Sequence, residues 1–304
     1  MPIPVIPELL TSLLESQYGP ETAARIAEGY THQRPVTLRV NPLKANRAQV
    51  EEQLTQAGIA WENVPWYEDA MILRGVREDA VQALPVYELG GVYLQNLSAM
   101  LPPLVLMPKA EETILDMAAA PGGKTTQMAA LSGNQALITA CEKNKIRAER
   151  MQFNLQKQGA TRVGVMTEDA RRLDDLFSFH KILLDAPCSG SGTILLTEGE
   201  PQRRMTRDWL NKTAATQTAM LQKALRLLKP GGEMVYSTCS ILRMENEDVV
   251  SKCIAKANAE VLPIEHEMLR HVPQLPVSIP GTLCVCPDEL HEGFFVARIR
   301  KKKK

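Results

Sequence analysis

The spacing of apolar residues predicts two helices at the start of the chain and a small α+β module after them. Over residues 1–30, apolar side chains recur every three or four positions on both sides of Pro20, which is typical of amphipathic helices. The period then changes repeatedly before Pro108. We expect strands at 37–41 and 71–74 and helices at 48–57 and 93–106.

A regular alternation of apolar strands and helical segments begins at residue 112. The predicted strands cover 113–117, 136–141, 163–167, 181–185, 233–237 and 293–299, and the predicted helices cover 125–131, 145–158 and 212–228. Such alternation predicts a mostly parallel, doubly wound α/β sheet with helices on both faces. We therefore predict two domains, an α+β module at 1–107 and an α/β domain at 108–304.

Polar and reactive residues follow several of these predicted strands. In open α/β sheets, ligands bind beyond the carboxyl ends of the strands, so these positions are candidates for a site. They are Asp116, residues 117–124, Glu142, Asp169 to Arg171, Asp185 to Cys188, and Ser237 to Ser240. We expect these side chains to meet at one edge of the sheet.

The glycine-containing turn after the first of these strands is a candidate cofactor site. Its residues are Ala118, Ala119, Ala120, Pro121, Gly122, Gly123 and Lys124. Glycine lets the backbone approach a ligand closely, and the helix that follows offers free N–H groups. The ending Gly-Lys-Thr also resembles a phosphate-binding loop, but Ala118 stands at the first glycine of that motif and Pro121 lacks an N–H. A nucleoside cofactor fits better, and a nucleoside triphosphatase is the alternative.

Glu142 favours the nucleoside interpretation. It ends the second apolar strand of the α/β domain, about twenty residues after the turn, where a doubly wound sheet places an acid on a ribose. The apolar run that ends in Asp185 resembles a Walker B strand, however, and keeps the triphosphatase alternative open.

Two cysteines, Cys188 and Cys239, follow different predicted strands and argue against phosphoryl transfer. Both are expected at the same edge of the sheet, where a pair of thiols has no role in that reaction. The other interpretation of each cysteine is a small buried hydrophobic residue. Their position beside the carboxylate of Asp185 favours a chemical role.

Composition restricts the class of protein and of partner. The chain has 35 basic and 35 acidic residues, so its formal net charge is zero and a nucleic-acid surface must be a local patch. Candidate basic residues, for which a solvated face is the alternative, are Arg34, Arg39, Lys44, Arg47, Arg171, Arg172, Arg203, Arg204 and Arg207.

No apolar run approaches the roughly 20 residues of a membrane helix and no signal peptide is evident, so we expect a cytoplasmic protein. None of the six cysteines forms a Cys-x-x-Cys pair, and we expect free thiols and no metal site.

Taken together, these motifs resemble the RNA cytosine-5 methyltransferases of the Nop2/Sun family. The matching segments are 116–125, 169–171, 185–193, 228–232, 236–240, 245–247 and 293–298, with Leu38-Arg-Val-Asn-Pro42 in the N-terminal module. The resemblance covers about 35–300. The chain departs from the family after Gly192, where residues 194–201 replace a basic-aromatic loop, so the resemblance does not extend to the choice of substrate.

The resemblance implies a Rossmann-like class I methyltransferase that uses S-adenosylmethionine, with an RRM-like N-terminal α+β domain. The implied cofactor-binding residues are the turn 118–124, Glu142 on the ribose, Asp169 near the adenine, Arg147 and Asp185. The implied catalytic residues are Cys239 as nucleophile, Cys188 in removal of the C5 proton, and Asp185 and Lys124 against the flipped base. A Pro-Cys nucleophile, as in DNA cytosine methyltransferases, would instead be Cys188.

The function that we expect is methyl transfer to C5 of a cytosine in structured RNA. Ribosomal RNA is the first choice of substrate and transfer RNA the alternative, and a non-catalytic RNA-binding protein is a third interpretation. We expect the arginines within 34–47 and 203–207 to contact phosphates. We also expect a monomer with no bound metal and no membrane contact.

Overall fold

Two helices open the described part of the structure, a computed structural model that describes residues 6–196 and 205–303. Helix α1 (Glu8–Tyr18) ends at Gly19, whose φ of 80° places it in the left-handed region, and α2 (Pro20–Gly29) begins at once because proline suits the first helical position. Leu10, Leu14 and Ile26 are fully buried in the core of the large sheet described below. The two predicted helices therefore pack on the α/β domain.

A four-stranded antiparallel sheet follows, in the order β2-β3-β1-β4. Its elements are β1 (Val36–Val40), α3 (Arg47–Gln56), β2 (Trp61–Asn63), β3 (Ala70–Leu73), α4 (Glu78–Gln82), α5 (Pro85–Glu88) and β4 (Val92–Leu94). Asn46 starts α3 with a capping box, since its side chain accepts from the N–H of Gln49 and the Gln49 side chain bonds back. The predicted α+β module is thus present, although β2, α4 and α5 were not predicted.

The prediction of a helix at 93–106 was wrong at its start. Tyr93 and Leu94 lie in β4 and pair with Arg39 and Leu38 of β1. Helix α6 (Leu97–Leu106) begins only after Asn96, whose side chain accepts from the N–H of Ser98. Tertiary pairing with β1 overrides the local helical pattern here.

The large sheet has the order β10-β12-β9-β8-β5-β6-β7, with β11 paired to β12. Its elements are β5 (Thr113–Asp116), α7 (Gly123–Leu131), β6 (Leu137–Cys141), α8 (Lys145–Lys157), β7 (Val163–Met166), β8 (Phe179–Asp185), α9 (Arg207–Leu227), β9 (Leu228–Thr238), α10 (Glu247–Ile254), β10 (Ala259–Leu262), β11 (Leu283–Val285) and β12 (Phe294–Lys301). Strands β5 to β9 pair in parallel, as the alternating pattern predicted. Because β5 lies between β6 and β8, the strand order reverses at β5.

The expectation of a mostly parallel sheet left the direction of the closing strand open. β12 runs antiparallel to β9, β10 and β11. The connection from β11 to β12 is shorter than the dozen or so residues that a parallel crossover needs, so the chain must reverse. Helix α9 also begins earlier than predicted, at Arg207, after Thr206 caps it, while α10, β10 and β11 were not predicted.

The domain boundary near residue 108 stays a prediction. Helix α6, on its N-terminal side, packs against β8, β9 and β12 of the large sheet. Within residues 6–196 and 205–303, no helix is long and apolar enough to cross a membrane.

The expectation that Arg39 contacts RNA phosphates is wrong. Its side chain is 0% exposed and lies between the small sheet and α7. The guanidinium donates to Gln95 Oε1 at 3.2 Å and to Thr126 Oγ1 at 3.1 Å, and burial lowers its pKa. Arg39 therefore joins the small sheet to helix α7 inside the protein.

The other basic residues of the early segment are also partly engaged within the protein. Arg34 donates to the carbonyls of His291 at 2.9 Å and Gly29 at 3.2 Å, and Arg47 pairs with Glu51 at 2.8 Å. Arg203 and Arg204 lie outside the described residues, as does most of the segment 194–201.

We predict that Arg39→Ala lowers the free energy of unfolding by about 3 kcal/mol, because it leaves a cavity and removes the partner of two buried polar groups. Urea denaturation at pH 7 measures this loss. Arg77→Ala, which removes an exposed ion pair with Asp79 at 3.5 Å, is the control and should cost about 0.5 kcal/mol or less. If both variants lost the same free energy of unfolding, the prediction that the buried contacts of Arg39 stabilise the fold would be wrong.

Candidate active site

The turn between β5 and α7 is held in a conformation that its two glycines permit. Gly122 has a φ of 103°, and its N–H donates to the carbonyl of Ala119 at 2.7 Å. A Cβ on Gly123 would lie 2.9 Å from the ring of Tyr93 in β4. The small sheet therefore packs directly against the turn through Tyr93, which leaves no room for a side chain at residue 123.

Asp116 anchors the same turn from below. Its carboxylate is 1% exposed and accepts a hydrogen bond from Thr125 Oγ1 at 2.7 Å. Burial raises the pKa of Asp116 to about 6, and the hydrogen bond from Thr125 and the charge of Lys124 oppose that rise. The first acid of the predicted site thus holds the helix start, and it lines the smaller of the two cavities described next.

A cavity of about 330 Å³ lies at the carboxyl ends of β5 to β9. Its lining includes Ala118, Ala120, Glu142, Arg147, Asp169, Asp185, Cys188 and Cys239. A second cavity of about 240 Å³, on the side of Tyr93, is lined by Ala119, Pro121, Gly123 and Lys124 and shares Ala118, Ala120 and Asp185 with the first. Gly122 lines neither of these two cavities. The fold therefore brings the sequence-predicted residues to the two sides of one turn.

Glu142 and Arg147 form one wall of the larger cavity. The Glu142 carboxylate, 5% exposed, accepts from the N–H of Asn144 at 2.8 Å and lies 3.4 Å from the guanidinium of Arg147. Arg147 also donates to the carbonyl of Ala120 at 2.9 Å. Arg147 thus joins the acid after β6 to the turn after β5.

Asp169 follows β7 and begins a short 3₁₀ turn, Ala170–Arg172. Its carboxylate accepts from the Arg171 N–H at 3.0 Å and from the Arg171 guanidinium at 3.0 and 2.5 Å. These hydrogen bonds hold the pKa of Asp169 below its usual value. A ligand that bonds to this carboxylate must share it with Arg171.

Lys124 and Asp185 form an ion pair between the two cavities, with Nζ 2.7 Å from Oδ2. Ser237 Oγ donates to the other oxygen of Asp185 at 2.8 Å, and the Lys124 ammonium lies 5.5 Å from the centre of the Phe294 ring. Burial is the largest single cause and acts to lower the pKa of Lys124. The charge and hydrogen bond of Asp185, together with the charges of Asp116 and Cys239, outweigh it, and the pKa is raised. Lys124 is therefore a fixed positive charge beside the strand-end thiols.

The two thiols that sequence reasoning singled out are in contact. Cys188 Sγ and Cys239 Sγ lie 3.2 Å apart, without a disulfide bond, and both side chains are partly exposed to the cavity. Contact with the Cys239 sulfur, together with burial, raises the pKa of Cys188 well above its usual value. Cys188 is thus a protonated thiol in this state.

Sequence reasoning missed Glu245, a fully buried acid beneath the two cysteine loops. It belongs to the family-like segment 245–247, but nothing in the pattern of a short 3₁₀ turn shows that an acid points inward. Its contacts with the serines that follow Cys188 and Cys239 could be found only from the structure. Within the described ranges, no group of three or more His, Cys, Asp or Glu side chains could hold a metal ion.

Comparison with known sequences assigns the family. A sequence model described as 16S rRNA methyltransferase RsmB/F matches residues 103–300, which is more than half of the chain. The chain belongs to the RsmB/F methyltransferase family. A second model, described as an RsmF/B-like ferredoxin-like domain, matches residues 6–78. The expected family, the Rossmann-like fold and the small α+β domain are therefore confirmed, the latter as a ferredoxin-like domain.

Curated relatives share about a third of their residues with this chain. Ribosomal RNA small subunit methyltransferase F of Aeromonas salmonicida is 36% identical over 274 residues, which are 87% of this chain and 57% of the relative. Probable ribosomal RNA small subunit methyltransferase B of Bacillus subtilis is 33% identical over 305 residues, 97% of this chain and 66% of the relative. The chain thus spans between about half and two thirds of the length of these relatives.

Solved structures agree with the fold. A methyltransferase homolog protein from Pyrococcus horikoshii has a TM-score of 0.82 at 31% identity, over 97% of this chain and 100% of that one. NSun6 from Pyrococcus horikoshii, solved with SFG, has a TM-score of 0.87 at 24% identity over the whole of both chains, a likeness in fold. The RsmB/F family is one of S-adenosylmethionine-dependent methyltransferases, and the expected cofactor is therefore confirmed.

We predict a pH-dependent stability that depends on Asp116. Its pKa of about 6 in the folded protein exceeds its ordinary value of 3.8, so between these values the folded protein binds more protons than the unfolded chain. The free energy of unfolding should therefore fall as the pH rises from about 4 to about 6, by up to about 3 kcal/mol from this group.

Asp116→Asn, which stays neutral, should lack this contribution. Urea denaturation of both proteins at pH 4, 5 and 6 measures the difference, and the exposed Asp79→Asn serves as the control. Parallel pH profiles for wild type and Asp116→Asn would show that Asp116 is not a desolvated carboxyl.

Proposed function

We propose that this chain transfers a methyl group from S-adenosylmethionine to C5 of a cytosine in RNA, through a covalent bond between Cys239 and C6. The observation that carries the proposal is the contact of two thiols, 3.2 Å apart, in the cavity that Asp185 also lines. Small buried cysteines that only pack would have no reason to meet at the carboxyl ends of two strands.

The larger cavity suits the cofactor. Its volume of about 330 Å³ falls within the range of small-molecule pockets, and its carboxylates accept hydrogen bonds from a nucleoside. We assign Glu142 to the ribose hydroxyls and Asp169 to the adenine amine, with Ala118 and Ala120 of the turn beside the methionine part. When bound, S-adenosylmethionine supplies an electrophilic methyl group attached to a positively charged sulfur.

The thiol of Cys239 overcomes the low nucleophilicity of cytosine C5. Its thiolate adds to C6, and the electron pair of the C5–C6 double bond moves to C5, which then attacks the methyl group and displaces S-adenosylhomocysteine. The ammonium of Lys124 is a nearby positive charge that stabilises the negative charge developing on the ring in this step.

The Lys124–Asp185 pair suits the polar edge of the base. The Asp185 carboxylate accepts from the exocyclic amino group, while the ammonium, 2.7 Å from it, faces the ring atoms that gain negative charge when the thiolate adds. Because Ser237 fixes the second oxygen of Asp185, the carboxylate is oriented before the base arrives. The target nucleotide must leave its stack to reach this depth.

Cys188 is assigned to the last step, removal of the C5 proton and release of the thiol. Its pKa is raised first of all by the neighbouring Cys239 sulfur. Once Cys239 is bonded to C6 it is a neutral thioether, so that cause disappears and Cys188 ionises more easily. Cys188 therefore becomes a base at the step that needs one, and loss of the C5 proton restores the C5–C6 double bond as Cys239 leaves.

The substrate that we propose is ribosomal RNA, in keeping with the names of the relatives, and transfer RNA is the alternative. Bisulfite mapping of RNA from cells that lack the protein identifies the nucleotide. A site lost only from transfer RNA would replace the first choice by the second. If no 5-methylcytosine is lost from any RNA, the proposed methylation is wrong.

We predict that Asp169→Asn weakens binding of S-adenosylhomocysteine by about 1–3 kcal/mol, because charge-assisted hydrogen bonds to the nucleoside are lost. Isothermal titration calorimetry measures the change, and Asp174→Asn, in the loop after the 3₁₀ turn, is the control. The wild-type protein should not bind ATP with magnesium. Magnesium-dependent ATP binding without affinity for S-adenosylhomocysteine would favour the triphosphatase alternative.

We predict that the two cysteine variants fail differently. Cys239→Ala should lose turnover and form no adduct, since the nucleophile is gone. Cys188→Ala should still attack C6 and accumulate a protein–RNA complex that survives denaturing electrophoresis, since release is blocked. Cys253→Ala, a buried cysteine of α10, is the control and should keep activity.

The same gel separates the alternatives. An adduct trapped by Cys239→Ala but not by Cys188→Ala would exchange the two roles. Full activity in both variants would make both cysteines packing residues and refute the covalent mechanism.

A further inference from the structure

The two thiols belong to loops that are far apart in the chain. Cys188 follows β8 and Cys239 follows β9, and each is followed by a serine, Ser189 and Ser240. The distance of 3.2 Å between the sulfurs therefore depends on how the two loops are fixed to each other.

A single buried carboxylate joins the loops. Glu245 Oε1 accepts from the N–H of Ser189 at 2.8 Å and from Gln217 Nε2 at 3.2 Å. Its Oε2 accepts from the hydroxyls of both serines, the one from Ser240 at 2.5 Å. A carboxylate has about four acceptor positions, and all four are used here.

We propose that Glu245 is a positioning residue that sets the separation of the Cys188 and Cys239 thiols by holding both cysteine loops to one carboxylate. The effect of Glu245 on catalysis rests on the proposed function, in which both thiols act on one cytosine. Its effect on the distance between the thiols depends only on its own hydrogen bonds.

The cost of burial supports a role beyond packing. Glu245 is 0% exposed, and none of the lysines and arginines in the described ranges forms an ion pair with it. A buried carboxylate without a cation is costly unless neutral donors satisfy it fully. An apolar side chain would fill the same space without that cost, but it could not join two loops.

An amide replaces the carboxylate poorly, because donors surround both of its oxygens. Oε1 faces the N–H of Ser189, which can only donate, and Oε2 faces the hydroxyls of Ser189 and Ser240. In Glu245→Gln the amide nitrogen can take only the Oε2 position, where both hydroxyls would have to turn and accept. Ser240 Oγ already accepts from the N–H of Leu242 at 3.1 Å, so we expect the two loops to be held less firmly.

The charge of Glu245 also acts on the thiol. Contact with the Cys239 sulfur comes first and burial second among the causes that raise the pKa of Cys188, and the negative charge of Glu245 adds to them. Loss of that charge should therefore ease ionisation of Cys188, which a purely structural role would not do.

The first test measures the distance between the thiols without any methyl transfer. Diamide oxidises two neighbouring thiols to a disulfide and takes up their two hydrogens, and mass spectrometry identifies the Cys188–Cys239 peptide. We expect rapid cross-linking in the wild type and about tenfold slower cross-linking in Glu245→Gln. The control is Glu247→Gln, since Glu247 is similarly buried but accepts from the N–H of Ser278, at 3.4 Å, and from its own N–H, and not from either cysteine loop.

The second test follows alkylation of Cys188 by iodoacetamide as a function of pH. The midpoint should move to lower pH in Glu245→Gln, which lacks the charge, and return toward the wild-type value in Glu245→Asp, which keeps it. Binding of S-adenosylhomocysteine should be unchanged in both, because Glu142 and Asp169 lie on the other side of the cavity. Where Glu245→Gln fails to bind it, Ser189→Ala and Ser240→Ala, which each remove one donor and keep the charge, replace it in the cross-linking test, and the alkylation midpoint should then stay near the wild-type value.

The third test is methyl transfer, which should fall about a hundredfold in Glu245→Gln because both thiols are misplaced. Wild-type rates of cross-linking and wild-type activity in Glu245→Gln would overturn the inference. Slow cross-linking together with fully active Cys188→Ala and Cys239→Ala would instead leave the geometry of Glu245 standing and refute the proposed function.

Discussion

Parallel pairing of β5 with both β6 and β8 is the constraint on which the site depends. Because the strand order reverses at β5, the chain leaves β5 and its neighbours on opposite faces of the sheet and a crevice opens between them. The turn after β5, Glu142 after β6, Asp185 at the end of β8 and Cys239 after β9 all lie at this crevice. Groups that are more than a hundred residues apart in the chain are thereby brought within reach of one small ligand.

The N-terminal helices and the small sheet are structural parts of this site. Tyr93 lies against Gly123, and Arg39 reaches from β1 to Thr126 of α7, so the small sheet supports the helix that carries Lys124. On the opposite side, the hydroxyl of Tyr30, after α2, donates to the carbonyl of Ser191 in the loop that follows Cys188. A ferredoxin-like domain that only bound RNA would not need such buried contacts with the turn.

Charge pairing divides the site into regions of different chemistry. At one wall of the larger cavity, Arg171 and Arg147 pair with the carboxylates of Asp169 and Glu142. Between the two cavities, Lys124 and Asp185 neutralise each other and present both a donor and an acceptor. Beneath the thiols, Glu245 has neutral donors instead of a cation. The negative charge of Glu245 adds to the causes that raise the pKa of Cys188, which favours the protonated thiol before substrate arrives.

Periodicity and turn residues act locally, so the order of residues was enough to predict the alternating strands and helices, the glycine turn, the strand-end acids and the two cysteines. Short motifs with residues at fixed spacing also pointed to the family. Four features could be found only from the folded chain: Tyr93 lies in a strand, Arg39 is buried, β12 runs antiparallel, and Glu245 joins the cysteine loops. Each of these depends on contacts between distant segments, and local spacing carries no information about which face of a short element turns inward or which strand it pairs with.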